Sequence, residues 1–169
     1  MREIMKAGKE FDIVPYGTEA LGVMRIEKGH VAGNELNGTT SALNLGMVRM
    51  VSKKKDSIGS VLSEREGLNA QDTLKLVGFV PVETDDAVPA GAHLMNTGGP
   101  VDAGHDQGYI TSACFSPNLN CHIGIGFLKA GDTRIGEVVR LVSPLTGQDH
   151  NVKVVSAHFV DPKGERLRA

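Results

Sequence analysis

Short apolar runs separated by glycine-rich turns dominate the chain after residue 67. Runs rich in Val, Ile and Leu occupy residues 74–82, 121–128, 136–142 and 152–155, and residues 108–113 form a shorter run with Tyr, Ile and Thr. Segments of that length and composition are typical of β-strands, and residues 88–94 predict a turn followed by one more short strand. Six short strands with little helical periodicity between them predict a small β-sandwich or β-barrel.

The first 67 residues carry a different pattern. Apolar side chains recur at helical spacing over residues 1–13 and again over 58–66, and Gly67 is the expected end of the second helix. Residues 43–51 alternate as in a strand and follow a polar loop. These elements predict an α+β chain with two domains, 1–67 and 68–169.

The start of the first helix is itself informative. No capping residue precedes Met1, so the helix resembles the interior of a longer one. We therefore expect the sequence to be a piece of a longer protein.

One charged segment, residues 16–33, has two interpretations. Thr18 is expected to cap a short turn that runs through Leu21, and Leu21, Met24 and Val31 are expected to face a core while Arg25 and Glu27 point elsewhere. Two opposite charges in an apolar frame are either a structural ion pair or a polar anchor for a ligand. The residue types alone favour the structural pair, because surface ion pairs contribute little.

Composition narrows the classes of function. The net charge is −2 and aromatic residues make up 4% of the chain with no Trp, which argues against a nucleic-acid partner. No apolar run reaches the roughly 18 residues that span a bilayer, and no signal peptide is evident, so we expect no membrane association. Two cysteines, Cys114 and Cys121, predict free thiols in a reducing cytoplasm.

Candidate chemistry from the residues alone is sparse. No His or Cys pair has the spacing of a zinc site, so no metal is expected, and no nucleophile elbow surrounds Ser112 or Cys114. Gly124 and Gly126 lack the third glycine of a dinucleotide loop and predict close packing instead. The basic run 53–55 is either a solvated loop or a docking site for an anionic ligand tail. These residues provide no complete catalytic set.

Several motifs resemble the aminomethyltransferase family, which includes the T-protein of the glycine cleavage system. They are the run Gly22-Val23-Met24-Arg25-Ile26-Glu27-Lys28-Gly29, followed by Gly33-Asn34-Glu35-Leu36, the Thr39-Thr40 step and Lys54-Lys55-Asp56-Ser57-Ile58-Gly59. Residues 16–29 are also similar, nearly letter for letter, to the alpha subunits of heterotetrameric sarcosine oxidases. Residues 108–113, 116–119 and 123–127 are similar to the barrel signature of the family. The resemblance spans practically the whole chain.

The resemblance implies a partial folate-binding aminomethyltransferase domain followed by a small C-terminal β-barrel. It implies that Glu27 contacts the pterin end of tetrahydrofolate, that Lys55, or failing it Lys54, faces the glutamyl tail, and that Arg25 supports the frame beside them. The catalytic aspartate of the family falls outside this sequence. FAD, FMN and NAD belong to the full sarcosine oxidase complex and are not expected to bind this chain alone.

The function implied is the tetrahydrofolate-binding part of an alpha subunit, acting with other sarcosine oxidase subunits. That complex oxidatively demethylates sarcosine and passes the one-carbon unit to tetrahydrofolate, and this chain alone is expected to be inactive. Two alternatives remain open. One is a noncatalytic interaction module, which could form a homo-oligomer through exposed apolar edges, and the other is a stand-alone aminomethyltransferase. The folate-dependent iron–sulfur maintenance proteins are set aside, because no cysteine lies within residues 55–61.

Overall fold

The computed structural model describes residues 1–168 as a six-stranded barrel preceded by short helices and loops. The helices are α1 (Arg2–Ala7), α2 (Thr18–Lys28), α3 (Ser60–Ser63) and α4 (Glu66–Asn69). The strands are β1 (Leu74–Pro81), β2 (His93–Met95), β3 (Asp106–Ser116), β4 (Cys121–Lys129), β5 (Val138–Ser143) and β6 (Gln148–Val155). Within residues 1–168, no helix combines the length and the apolar character needed to cross a bilayer.

The C-terminal β-barrel implied by the resemblance is confirmed, and of the two forms that the strand pattern left open the chain adopts the barrel. All neighbouring strands are antiparallel, and the order β1-β4-β3-β2-β5-β6 closes on itself. Closure leaves no long free edge for a second sheet to extend. Every strand predicted from the apolar runs is present, although the bounds differ by a few residues and β2 begins only at His93.

The interior of the barrel is filled by alternate side chains from all six strands. Its fully buried members come from every part of the barrel sequence: Phe79, Leu94, Ile110, Leu128, Leu141 and Val154. Two glycines of β4 face this interior. A Cβ on Gly124 would lie 2.8 Å from Val88 Cγ1, and one on Gly126 would lie 2.3 Å from the Tyr109 carbonyl oxygen. Both close approaches confirm that these glycines serve packing.

Strand β4 is buried on both faces, which explains why its sequence is apolar almost throughout. Its outward side chains Ile123 and Ile125 form a second cluster with Ile26 of α2 and Ala157. A strand covered on both sides needs apolar residues at consecutive positions instead of alternate ones. Helix α2 is therefore fixed to the barrel wall through β4.

The charged segment 16–33 forms a regular helix, so its expected short turn was wrong. Gly17 occupies the N-cap position and Thr18 is the first helical residue. The helix ends at Gly29, which adopts the left-handed conformation with φ 72°. A Cβ at Gly29 would lie 2.4 Å from the Ala157 carbonyl oxygen, so glycine is needed both for the turn and for the close approach.

Two of the three residues expected to face the core were also placed wrongly, while the third, Val31, is half-buried. Leu21 and Met24 are 51% and 44% exposed, whereas Ile26 and Glu27 are 4% and 3% exposed. With 3.6 residues per turn, α2 turns one narrow stripe toward the barrel, and that stripe includes a glutamate. The apolar side chains on the opposite side remain open to solvent.

The strand predicted for residues 43–51 was wrong, because side-chain hydrogen bonds organise this segment locally. Asn44 Oδ1 accepts from the Ser41 amide at 2.7 Å and from its hydroxyl at 2.8 Å. Asn44 also binds the edge of β1, donating to the Leu74 carbonyl at 2.7 Å and accepting from the Leu76 amide at 2.7 Å. Asn and Ser compete with regular backbone pairing in this way. The segment is a series of turns that ends in a 3-10 turn, Val48–Met50.

The helix predicted over residues 58–66 is divided into the one-turn helices α3 and α4. The hydroxyls of Ser60 and Ser63 donate to backbone carbonyls three residues earlier, and the Asn69 amide donates to the Ser63 carbonyl at 2.7 Å. Gly67 lies inside α4, so its expected role as a helix stop was wrong. The helix predicted over 1–13 is present as α1 with a 3-10 turn, Gly8–Phe11, after it.

Candidate functional site

Glu27 places a buried carboxylate where three parts of the chain meet. Its Oε1 accepts a hydrogen bond from the Ser116 hydroxyl at 2.5 Å, and its Oε2 accepts one from the Asn118 side-chain amide at 2.8 Å. The Glu27 carbonyl accepts from the amides of Phe159 and Val160, both at 2.9 Å. Helix α2, the β3–β4 turn and the segment after β6 are thus joined at one residue.

A cavity of about 690 Å³ opens beside Glu27. This volume lies within the range of cofactor and small-molecule sites, roughly 300–1,000 Å³. One part of the wall is apolar and the remainder is charged or polar. The lining residues are Tyr16, Leu21, Met24, Arg25, Glu27, Lys28, His30, Asn118, Val160, Asp161 and Arg166.

Arg25 pairs with Glu35 instead of with Glu27. Its Nη1 lies 3.2 Å from Glu35 Oε2, and its Nη2 donates to the Ser112 hydroxyl at 2.7 Å. Residues two apart on a helix point in different directions, so the pairing of Arg25 with Glu27 that the sequence left open is excluded by geometry. Arg25 still lines the cavity, and its side chain is 23% exposed.

Glu35 is the buried acceptor at the centre of this network and is 0% exposed. Burial by itself raises its pKa, but the hydroxyls of Thr111 and Ser112, the Ala32 amide and the charge of Arg25 together lower the pKa below its usual value. Glu35 is therefore ionised at neutral pH. The loop that follows α2 is fixed to β3 by this charge.

The segment after β6 crosses the end of α2 and forms one wall of the cavity. Lys28 Nζ lies 2.9 Å from Asp161 Oδ2, and His158 Nδ1 lies 3.0 Å from the Lys28 carbonyl oxygen. The His158 contact and the amides bound to the Glu27 carbonyl satisfy backbone acceptors that a helix end leaves free. We call residues 156–166 the C-terminal strap.

Cys114 lies close enough to Glu27 for the charge of the carboxylate to affect the pKa of the thiol. Burial, followed by the negative charge of Glu27, raises the pKa of the Cys114 thiol to about 11, against a smaller opposing effect of Arg25. The residue stays a neutral thiol near pH 7, and only the thiolate is a strong nucleophile. This agrees with the sequence expectation that nothing activates the cysteine.

The two lysines expected at the ligand tail lie elsewhere. Lys54 and Lys55 are exposed in the loop between Val51 and α3. Within residues 1–168, the lining of the Glu27 cavity does not include them. Their contact with a ligand tail stays a prediction, whereas Arg25 and Glu27 do come together at the cavity.

Sequence reasoning missed the partners that orient Glu27. Ser116 and Asn118 lie 89 and 91 positions away from Glu27, and neither was among the expected site residues. They lie where β3 ends and a turn begins, and both side chains donate to Glu27. No local signal marks such a contact, because it arises only when α2 packs across the barrel.

Two family profiles match the chain, and together they describe the architecture seen here. Residues 75–161 match the profile described as the glycine cleavage T-protein C-terminal barrel domain, and residues 1–55 match the one described as the GCVT N-terminal domain. The barrel match alone spans about half of the sequence. The chain belongs to the glycine cleavage T-protein family of aminomethyltransferases.

Particular relatives in this family include two sarcosine oxidase alpha subunits. That of Rhizobium meliloti is 40% identical over 97% of this chain, and that of Corynebacterium sp. strain P-1 is 37% identical over 97%. The chain spans only 17% of the length of either relative. An aminomethyltransferase of Bacteroides thetaiotaomicron is 31% identical over 80% of the chain, which corresponds to 36% of that protein.

A solved structure shares the fold. The glycine cleavage system aminomethyltransferase T from Bartonella henselae superposes with a TM-score of 0.63 at 22% identity. The match covers 86% of this chain and 39% of that structure. The partial aminomethyltransferase architecture predicted from the motifs is therefore confirmed, while the boundary between residues 67 and 68 stays a prediction.

Proposed function

We propose that this chain contributes a tetrahydrofolate site in which Glu27 anchors the pterin ring. The observation that carries the proposal is the buried Glu27 carboxylate, oriented by Ser116 and Asn118 in the wall of a cofactor-sized cavity. Membership of the aminomethyltransferase family supports folate over other heterocycles. The motif Arg-x-Glu-x-Gly, in which Glu27 stands, is the part of the sequence that resembles the folate-contacting segment of the family.

The hydrogen-bonding capacity of Glu27 fits this role. An ionised carboxylate offers about four acceptor positions over its two oxygens. Ser116 and Asn118 use one position on each oxygen, which leaves one on each for a ligand. The aminopyrimidine edge of a pterin presents two parallel N–H donors, and a carboxylate accepts such a pair with strict orientation. The protein contacts fix the carboxylate before the ligand arrives.

The apolar part of the cavity suits the faces of the ring. Tyr16, Leu21 and Met24 line it and are 65%, 51% and 44% exposed, and Val160 of the strap lies among the same lining residues. A flat heterocycle would remove part of this apolar surface from water, which contributes roughly 25 cal/mol per Å². The apolar lining residues then contribute binding energy, and Glu27 determines the orientation of the ring.

In the proposed assembly, the chain holds tetrahydrofolate as acceptor of the one-carbon unit released when sarcosine is oxidatively demethylated. The flavin and NAD cofactors would belong to other parts of a sarcosine oxidase complex. Other subunits would cover residues 1–67, where Phe11, Met50 and Ile58 are 77%, 79% and 101% exposed. Exposed apolar surface of this kind marks protein interfaces.

Anaerobic calorimetric titration with tetrahydrofolate tests the proposal. We expect the 169-residue chain to bind, and we expect Glu27→Gln to weaken binding by about tenfold or more, because a hydrogen bond to a charged group contributes roughly 1.5–3 kcal/mol. Glu19→Gln is the matched control, since this glutamate lies exposed in the first turn of the same helix. Equal affinity of the wild type and Glu27→Gln would remove Glu27 from the site.

A further inference from the structure

One stretch of the N-terminal region, residues 46–69, has no buried residue. Only Met47 and Ser60 are half-buried, and every other residue in this range is exposed. Met50, Ile58 and Val61 are among the exposed side chains, so the stretch presents apolar surface to solvent. Apolar surface that is left exposed beside polar residues is typical of an interaction site.

The charges in the first part of this stretch all have one sign. Arg49, Lys53, Lys54 and Lys55 give residues 49–55 four positive charges and no negative one. All four side chains are exposed, and none forms a hydrogen bond or an ion pair with another residue in the described part of the chain. We call residues 49–55 the basic segment, and its charge is available to a partner.

An acidic loop, residues 83–86, follows strand β1. It contains Glu83, Asp85 and Asp86, and the Asp86 amide closes it by donating to the Glu83 carbonyl at 3.0 Å. Glu83 and Asp85 are exposed and Asp86 is half-buried. Within residues 1–168, none of the three carboxylates accepts a hydrogen bond or forms an ion pair. The preceding residue, Val82, adds an exposed apolar side chain.

The basic segment and the acidic loop lie at opposite ends of β1. The turns before the basic segment bind the start of the strand, because Asn44 donates to the Leu74 carbonyl and accepts from the Leu76 amide, each at 2.7 Å. The acidic loop begins two residues after Pro81, the last residue of the strand. Eight residues of strand span about 26 Å, whereas the Debye length at physiological ionic strength is about 8 Å. The two ends are therefore screened from each other within one copy.

We propose that a second copy of this chain covers the basic segment and places its acidic loop against it. A twofold axis makes such a contact reciprocal, because each copy then contributes the same surface to the other. When the two β1 strands run antiparallel, each basic segment meets the acidic loop of the other copy. The pair also removes Met50 and Val82 from water. This inference goes beyond the proposed folate site and does not depend on it.

Salt and protein concentration give the first test. The contact consists of two short surface segments, so we expect a weak dimer, since exposed ion pairs contribute little and small interfaces are transient. Sedimentation velocity should show a dimer at about 100 μM protein in about 20 mM salt, and a monomer in about 0.5 M salt, because salt screens exposed charges.

Charge reversal identifies the surfaces that meet. One variant replaces the three lysines of the basic segment with Glu, and the other replaces the three acids of the acidic loop with Lys. The substitutions are Lys53→Glu, Lys54→Glu and Lys55→Glu in the first variant and Glu83→Lys, Asp85→Lys and Asp86→Lys in the second. Each variant alone should sediment as a monomer, because like charges then meet at both contacts. An equimolar mixture should restore the dimer, because opposite charges again meet at both contacts.

A matched control changes the net charge equally at another place. Arg2→Glu, Lys6→Glu and Lys9→Glu together reverse three positive charges on α1 and the turn after it, where no residue is buried. We expect this triple variant to associate like the wild type. Thermal unfolding of every variant checks that the barrel is folded, and the salt dependence of the wild type needs no variant at all.

Four results would overturn the inference. A wild type that is monomeric at about 1 mM protein in low salt would leave the basic segment to a different polypeptide. Association that is unchanged in 0.5 M salt, at about the screening limit for exposed charges, would locate the contact on apolar surface elsewhere. Assemblies larger than a dimer would exclude the twofold arrangement. A mixture of the two folded variants that stays monomeric would exclude the pairing of these two segments. None of these measurements uses tetrahydrofolate, so the proposed function stands or falls separately.

Discussion

The barrel and the first 67 residues differ in how many of their side chains are buried and in what kind of side chains these are. The barrel fills its interior from six strands, and Phe79, Leu94 and Leu141 are each 0% exposed. Residues 1–67 bury few side chains, and these include the charged Glu27 and Glu35 together with Ile26. The barrel is therefore stabilised by its own core, whereas the N-terminal region is attached through one small apolar cluster around Ile26 and a few specific polar contacts, and it leaves apolar surface for a ligand or another polypeptide.

The largest expected effect tests whether stability resides in the barrel. Phe79→Ala should cost about 3–5 kcal/mol of the free energy of unfolding, because it removes a fully buried ring from a packed interior. Phe11→Ala is the matched change in the N-terminal region, where the ring is 77% exposed, and should cost no more than about 0.5 kcal/mol. Urea denaturation of both variants measures the difference. Similar losses in the two variants would mean that the regions share one core.

The second largest expected effect concerns Glu35, whose buried charge attaches the loop after α2 to β3. Glu35→Gln should cost about 2 kcal/mol near pH 7, because Arg25 and the Ala32 amide lose a charged acceptor. The lowered pKa of Glu35 gives this contribution a pH dependence. The stability is fully present above the unfolded-state pKa of about 4.3 and is lost as the pH falls through the lower folded-state pKa.

Unfolding midpoints of the wild type and Glu35→Gln, measured from about pH 7 down to about pH 3, provide the test. The difference between the two proteins should be constant at neutral pH and should shrink below about pH 4. Glu64→Gln, at an exposed glutamate in the same region, controls for the substitution itself. A difference that stays constant at all pH values would mean that Glu35 contributes through its shape and not through its charge.

The smallest expected change in the free energy of unfolding is that of Gly22→Ala, and the same substitution at Gly126 is its comparison. Gly22 lies inside α2, and a Cβ at this position would have open space for 4 Å around it, so Gly22→Ala should raise the free energy of unfolding of this region by about 0.5–1 kcal/mol through helix propensity. The same change at Gly126 in the barrel should destabilise, because its Cβ would contact the Tyr109 carbonyl oxygen. Hydrogen exchange of the α2 amides and global denaturation report the two changes separately. A loss of α2 protection in Gly22→Ala would contradict the open surface described for this helix.

The same comparison explains what the sequence could predict. The strands of the barrel were predicted because their apolar runs and turn glycines are local signals. The pairing of β1 with both β4 and β6 was not, since it joins segments that are distant in the chain. In the N-terminal region, residues 43–51 were misassigned because Asn44 and Ser41 replace strand pairing with local hydrogen bonds.

The site was predictable only in part. The family motif identified Glu27, but its periodicity suggested that Leu21 and Met24 face the core, and both are substantially exposed. Ser116, Asn118 and Asp161 acquire their roles from the packing of α2 and the strap against the barrel, which no local pattern records. Contacts between polar residues that lie far apart in the chain cannot be predicted from a single sequence.

The most direct measurement is a crystal structure of the chain in complex with tetrahydrofolate. We expect two pterin nitrogens to lie about 2.7–3.2 Å from the oxygens of Glu27, with Ser116 and Asn118 still bound to the same carboxylate. A pterin ring located away from Glu27, or a Glu27 carboxylate that contacts only Ser116 and Asn118 in the complex, would contradict it.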